Sequence, residues 1–94
     1  SAGYPREVAV TGVALSPKTA SKAAGATQQF TPTVSPAGAT NKDVTYASSN
    51  ANVATVDASG LATVKSGATT GQTATITVRT EDGGFTDTAV ITVS

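Results

Sequence analysis

The side chains of this sequence that could do chemistry gather in two turns. DASG supplies Asp57 and Ser59 beside Gly60, and EDGG supplies Glu81 and Asp82 followed by Gly83 and Gly84. Acidic oxygens in short loops are the raw material of a calcium site. Ca²⁺, however, takes about six to eight oxygen ligands, which two separate turns supply only if the fold makes them converge. Turn chemistry accounts for the same residues more simply: an Asp side chain accepts from amides two residues on, and Gly adopts positive φ without a steric cost. Asp57, Gly60, Asp82, Gly83 and Gly84 are therefore read as turn residues, and no metal and no cofactor is expected.

Catalysis has few other starting points. The chain contains no His and no Cys, so the usual base near neutral pH and the strongest side-chain nucleophile are both missing. Ser and Thr are abundant, but a Ser-His-Asp triad cannot be assembled, and a Ser-Lys dyad needs a buried Lys. Lys18, Lys22, Lys42 and Lys65 read instead as solvated loop and edge charges. A glycosidase pair would have to be drawn from six carboxylates scattered over the chain, mostly in turns. No catalytic residue is assigned, and the chain is expected not to be an enzyme.

Composition narrows the partners. Six basic residues balance six acidic ones with no basic stripe, and four aromatics are too few for a base-stacking platform, so nucleic acid is an unexpected partner. Apolar runs are only a few residues long, far below the ~20 needed to span a bilayer, and no charged start leads into an apolar leader segment. Membrane insertion is not expected, and any export signal or anchor is expected outside these residues. Asn41, Asn50 and Asn52 are not followed by the N-x-[ST] pattern, so sequon-based glycosylation is not expected.

The elements that must position these turns read as strands throughout, because β-branched and turn-forming residues dominate. SAGYPRE, residues 1–7, reads as a linker, with Tyr4 the one aromatic expected to be exposed; residues 8–94 are read as one domain. Val8 and Val10 share one alternation and Val13 and Leu15 the other, with Gly12 at the break, which predicts a bulge or a crossing between sheets there. In ATQQFTPTV, residues 26–34, Phe30 and Val34 share a face, and Pro32 restricts the strand to a sheet edge or a bulge. VTYASS carries Val44 and Tyr46 on one face. Two short strands near residues 52–56 and 61–65 flank DASG. TATITVRT (Thr73–Thr80) alternates most cleanly and is expected to be central, and FTDTAVITV follows the EDGG hairpin turn with Phe85, Asp87, Ala89, Ile91 and Val93 in one register. The predicted core is Val13, Leu15, Phe30, Val34, Val44, Tyr46, Val56, Leu61, Ile76, Val78 and Ile91, with Val53, Val64 and Phe85 as further candidates. No window has helical periodicity. About seven short strands at near ten-residue spacing predict an all-β, immunoglobulin-like sandwich of two packed sheets with no disulfide.

The ordered succession V-T-G-V, G-A-T, P-A-x-A-T-N-K, S-S-N, V-A-T-V, G-L and A-T-I-T-V, spread over residues 10–93, resembles the bacterial immunoglobulin-like domains of group 2. Three positions depart from that family's habit: Tyr46 stands where Trp is usual, Lys22 where a small or apolar residue is common, and Pro32 where Ala is usual. Tyr46 can still plug the core with its hydroxyl partnered at the rim, and Lys22 and Pro32 make poor templates for edge-to-edge pairing. The resemblance implies a seven-stranded sandwich used as a tandem or terminal module of phage virion proteins, bacterial surface adhesins and exported enzymes. It further implies a non-catalytic module of a parent virion or surface protein, exposed on the virion or outside the cell. There it would act as a spacer or touch bacterial cell-surface glycans weakly. Outward-facing Thr residues could offer the contact surface, although Thr also serves simply as a soluble strand former.

Overall fold

The computed structural model describes residues 7–94, so Tyr4 and most of the expected linker lie outside the described residues. Nine strands follow one another without a helix: β1 (Gly12–Ser16), β2 (Thr19–Lys22), β3 (Thr27–Gln29), β4 (Thr31–Ser35), β5 (Val44–Ser48), β6 (Ala54–Val56), β7 (Leu61–Val64), β8 (Thr73–Thr80) and β9 (Thr86–Val93). The count exceeds seven because Thr19–Lys22 forms a strand that the sequence reading does not predict, and because the expected strand over residues 26–34 is divided at Phe30. One side of the core is the four-stranded sheet β2-β9-β8-β5, and the other is built from β1-β4 and β3-β7-β6.

β8 is central, paired antiparallel with β5 and β9. Its alternation explains why: Ala74, Ile76, Val78 and Thr80 are buried on one side while Thr73 and Arg79 are exposed on the other. On β9, Ala89, Ile91 and Val93 continue the buried phase. Opposite them stand Leu15, Phe30, Val53, Ala54, Ala62 and Val64, all at most 1% exposed. Val13, Val44, Tyr46 and Val56 are half-buried and pack on this cluster, and Val34 and Leu61 are half-buried as well.

Phe30 is the fully buried hinge of the second layer. Residues 27–29 pair with β7 and residues 31–35 pair with β1, and between them the Phe30 N–H donates to the Gly60 carbonyl at 2.9 Å. The extended segment thus changes partners at a side chain anchored in the core. Pro32 falls in the part of this segment paired with β1 alone, opposite Leu15, where a missing amide costs little. Lys22 likewise lies on an edge strand, β2.

Two expectations are corrected. The crossing between sheets does not occur at Gly12, which lies inside β1; it occurs at Pro17-Lys18, after which β2 pairs parallel with β9. Residues 8–11 instead run along the end of β4 and the loop after it, with Thr40 N–H donating to Val8 O at 3.0 Å and Thr11 N–H to Ser35 O at 2.8 Å. Phe85 is not core: it is 38% exposed. Its N–H donates to the hydroxyl of the buried Thr80 at 2.9 Å, and its ring folds over Gly83.

Gly60 and Gly25 have nearly the same backbone, with φ of 84° and 85°, and opposite surroundings. A Cβ on Gly25 would meet nothing within 4 Å, whereas on Gly60 it would sit 2.7 Å from the Phe30 carbonyl oxygen and 2.9 Å from the Tyr46 ring. The backbone oxygen cannot swing away. Gly25→Ala should therefore cost only the left-handed strain, about 1–2 kcal/mol, while Gly60→Ala should cost about 2–4 kcal/mol because overpacking adds to that strain. Urea denaturation of the two variants measures the difference, and equal losses would show that the Phe30–Gly60–Tyr46 contact does not constrain the fold.

Candidate functional site

The DASG and EDGG turns are built for different tasks. Between β6 and β7, one oxygen of Asp57, Oδ1, accepts three hydrogen bonds: from Ser59 Oγ at 2.7 Å, Ser59 N–H at 2.9 Å and Leu61 N–H at 3.0 Å. The backbone closes around it, with Gly60 N–H donating to Asp57 O at 3.1 Å and Asp57 N–H to Leu61 O at 3.0 Å. Hydrogen bonding by the Ser59 hydroxyl, then by the Leu61 amide, holds the Asp57 carboxyl below its ordinary pKa. An oxygen engaged three times by its own loop is a poor ligand for a cation.

Between β8 and β9, Gly83 and Gly84 both take positive φ. The Thr80 hydroxyl ties the turn by donating to Asp82 O at 2.7 Å. The Asp82 side chain leaves the turn and accepts the Val10 N–H at 3.1 Å through Oδ2. Next to Gly84 lies the Arg79 guanidinium, within 2.6 Å of where a Cβ would stand, so the glycine makes room for an exposed cation on the outer face of the sheet.

A third acid, Asp87, has the larger structural role, and turn reasoning does not reach it. Its Oδ2 accepts the Leu15 N–H at 2.7 Å and pairs with the Lys18 ammonium. The signal is present in the sequence: Asp87 occupies the inward phase of β9 among Ala89, Ile91 and Val93. A carboxylate in that register requires a buried donor, and the amide of an adjoining strand end supplies it.

An open cleft of about 420 Å³ is lined by Glu7, Val8, Ala9, Thr40, Asn41 and Asp82. Its Thr40 hydroxyl accepts the Val8 N–H at 2.7 Å, and one Asp82 oxygen accepts the Val10 N–H. Among the described residues, no three acidic, His or Cys side chains group as metal ligands, and no helix is long and apolar enough to cross a membrane. Tyr46 packs over Gly60 with its pKa raised by burial. No hydrogen bond from its hydroxyl is found among the described residues, so the expected rim partner is not seen. The outer face of the four-stranded sheet is rich in hydroxyls: Thr73 stands opposite Thr92, Thr77 opposite Thr88, and Arg79 between Thr45 and Thr86, with the exposed Val90 opposite Thr75.

The lowered pKa of Asp57 sets a pH signature. A carboxyl whose folded pKa lies below its unfolded value, about 3.9, contributes stability that is fully present above that value and is lost as pH falls through the folded one. Asp57→Ala should therefore be less stable than the parent chain at neutral pH, and the gap should narrow as pH is lowered below about 4. Denaturant unfolding at a series of pH values tests this; a gap that stays constant into acid would separate the turn from the charge of Asp57.

With this geometry, the comparisons with known proteins agree on the fold. The family model described as bacterial Ig-like domain (group 2) matches residues 9–91. The chain is 47% identical over 94 residues to an Ig-like virion protein of Serratia phage KSP90, an alignment covering 93% of this chain and 33% of that protein. It is 42% identical over 87 residues to a kappa-carrageenase of Pseudoalteromonas carrageenovora, covering 93% of this chain and 21% of the enzyme. The chain thus spans a third or less of the length of these relatives. The chain belongs to the bacterial Ig-like domain (group 2) family.

Proposed function

We propose that the chain is a non-catalytic Ig-like module displayed on a larger assembly, an accessory domain of a phage tail or capsid protein that provides spacing or weak attachment to the host surface. The observation that carries this reading is the 47% identity to a virion protein over nearly the whole module but only a third of that protein. Carboxylates engaged in holding the backbone, and a chain free of His and Cys, support the absence of catalysis. The module would then stand on the virion or outside the cell, joined to a parent protein and touching bacterial surface glycans, if at all, through the threonine face and Arg79. Single contacts of that kind are weak, and many copies on one particle would make them effective through local concentration.

A second reading has its own observation. The 42% identity to part of a kappa-carrageenase suggests an Ig-like repeat of an exported carbohydrate-active enzyme or surface adhesin, acting as a spacer or weak carbohydrate binder. Cell sedimentation with the monomeric chain and with the same chain arrayed on a multivalent particle distinguishes attachment from spacing. Attachment predicts retention of the array but not the monomer, and its loss when Thr77 and Thr88 are changed to Glu; a spacer predicts no retention of either. Tight binding by the monomer, or hydrolysis of a polysaccharide by the isolated chain, would overturn the proposed function.

A further inference from the structure

In the four-stranded sheet, β2 and β9 form a parallel pair, whereas β5–β8 and β8–β9 are antiparallel. β2, near the start, and β9, at the end, run parallel, with Thr19 opposite Val90 and Lys22 opposite Val93. Amides of β9 and the residue after it donate back to this early segment: Val90 N–H to Lys18 O at 2.9 Å and Ser94 N–H to Lys22 O at 2.9 Å. Upstream, Pro17 has no amide to continue the ladder. The Asp87 side chain takes over there, holding the Leu15 N–H at 2.7 Å and the Lys18 ammonium. The pairs Leu15/Asp87, Lys18/Val90 and Lys22/Ser94 share one sequence offset, so side-chain and backbone contacts form a single line along the two segments.

We infer that this line is a shear clamp that allows the module to carry tension between its ends. Pulling on the N-terminal side draws β2 backward along its axis, and pulling on Ser94 draws β9 forward along the same axis. In that direction the rungs lie across the pull and share the load, beginning with the Leu15–Asp87 contact on β1. The antiparallel β8–β9 hairpin is different: its open end brings residues 70–73 beside Ser94, with Thr73 opposite Thr92 and Thr70 Oγ1 donating to Ser94 O at 3.3 Å. Pulling there opens one rung at a time. The inference rests on the module reading above, because a domain between a particle and its attachment point is the kind that meets tension.

Resistance to force is set by the unfolding rate along the pulled direction and not by equilibrium stability, so direction is the discriminating variable. The chain has no native Cys, and introduced cysteines give clean handles for single-molecule pulling: Glu7→Cys with Ser94→Cys for the shear direction, and Thr70→Cys with Ser94→Cys for the peeling direction. We expect a severalfold higher rupture force in the first pair. Asp87→Ala should lower the force in that direction and leave the peeling force unchanged, with Asp87→Asn, which keeps an acceptor for Leu15, falling between. Equal forces in the two directions, or an Asp87→Ala loss of the same size in both, would overturn the clamp. Since the directional comparison keeps Asp87, it stands even if the Asp87 variants fold poorly. A failed clamp would leave the display module standing, because that reading is decided by cell retention and by the absence of hydrolysis.

Discussion

The close approach of the Phe30 carbonyl, the Gly60 backbone and the Tyr46 ring sets the geometry of the sandwich. Phe30 is fully buried where one extended segment leaves β7 and joins β1, and its carbonyl lies so near Gly60 that a side chain at position 60 would collide with it. The conformation of the DASG turn therefore decides more than the link between β6 and β7. By placing the Gly60 carbonyl to receive the Phe30 amide, it extends the β3-β7 ladder to the residue at which partners change. The three hydrogen bonds on Asp57 Oδ1 hold the turn from the solvent side, and the Tyr46 ring covers it from the core side. Each contact is modest, but they share one backbone position, so their losses are coupled rather than additive.

The first strand of this sandwich is secured by side chains as well as by backbone pairing. β1 is paired through its backbone with β4 alone, and the carboxylates of Asp82 and Asp87 take amides of the same chain segment from the opposite sheet. Hydrogen bonds to charged acceptors are about twice as strong as neutral ones. Two of them, 72 residues away from their donors, tie the beginning of the chain to its final hairpin. This cross-stitching holds the two sheets together at the first strand, and it leaves the segment free to cross between sheets at Pro17-Lys18.

Much of this was legible in the sequence where the determinants are local. Alternation in TATITVRT is enough to bury Ile76 and Val78 and to expose Arg79, and DASG and EDGG announce their turns through residues that favour specific backbone angles. What sequence reasoning misplaced depends on non-local contacts. Gly12 marks a change of phase, but the crossing waits for Pro17, because β1 first completes its pairing with β4. Phe85 continues the apolar register of β9, but it stands at the turn, where its ring packs over Gly83. The buried alanines 54 and 62 escape a search for large apolar residues, since a small side chain signals close packing only once its neighbours are known. Asp87 was visible as a carboxylate on an apolar face, although its partner Leu15 could be named only from the fold.

The division between the two faces of the four-stranded sheet bears on how such a module is used. Its inner positions are fixed by packing: Ile76, Val78, Ile91 and Val93 fill the core at no more than 2% exposure. Its outer positions are mostly Thr, whose β-propensity keeps the strands extended whatever the hydroxyls touch. Because the backbone is specified from one side only, outer side chains can be exchanged at small cost to stability, and a single scaffold can present different surfaces. The same asymmetry suits a segment found in proteins as different as a virion protein and a carrageenase, since its core and its clamps are drawn from its own residues. On the reading proposed above, differences between such modules should then collect on the threonine face and around Arg79, while the inward phase, Gly60 and the acids that hold the first strand stay under the constraint of the fold.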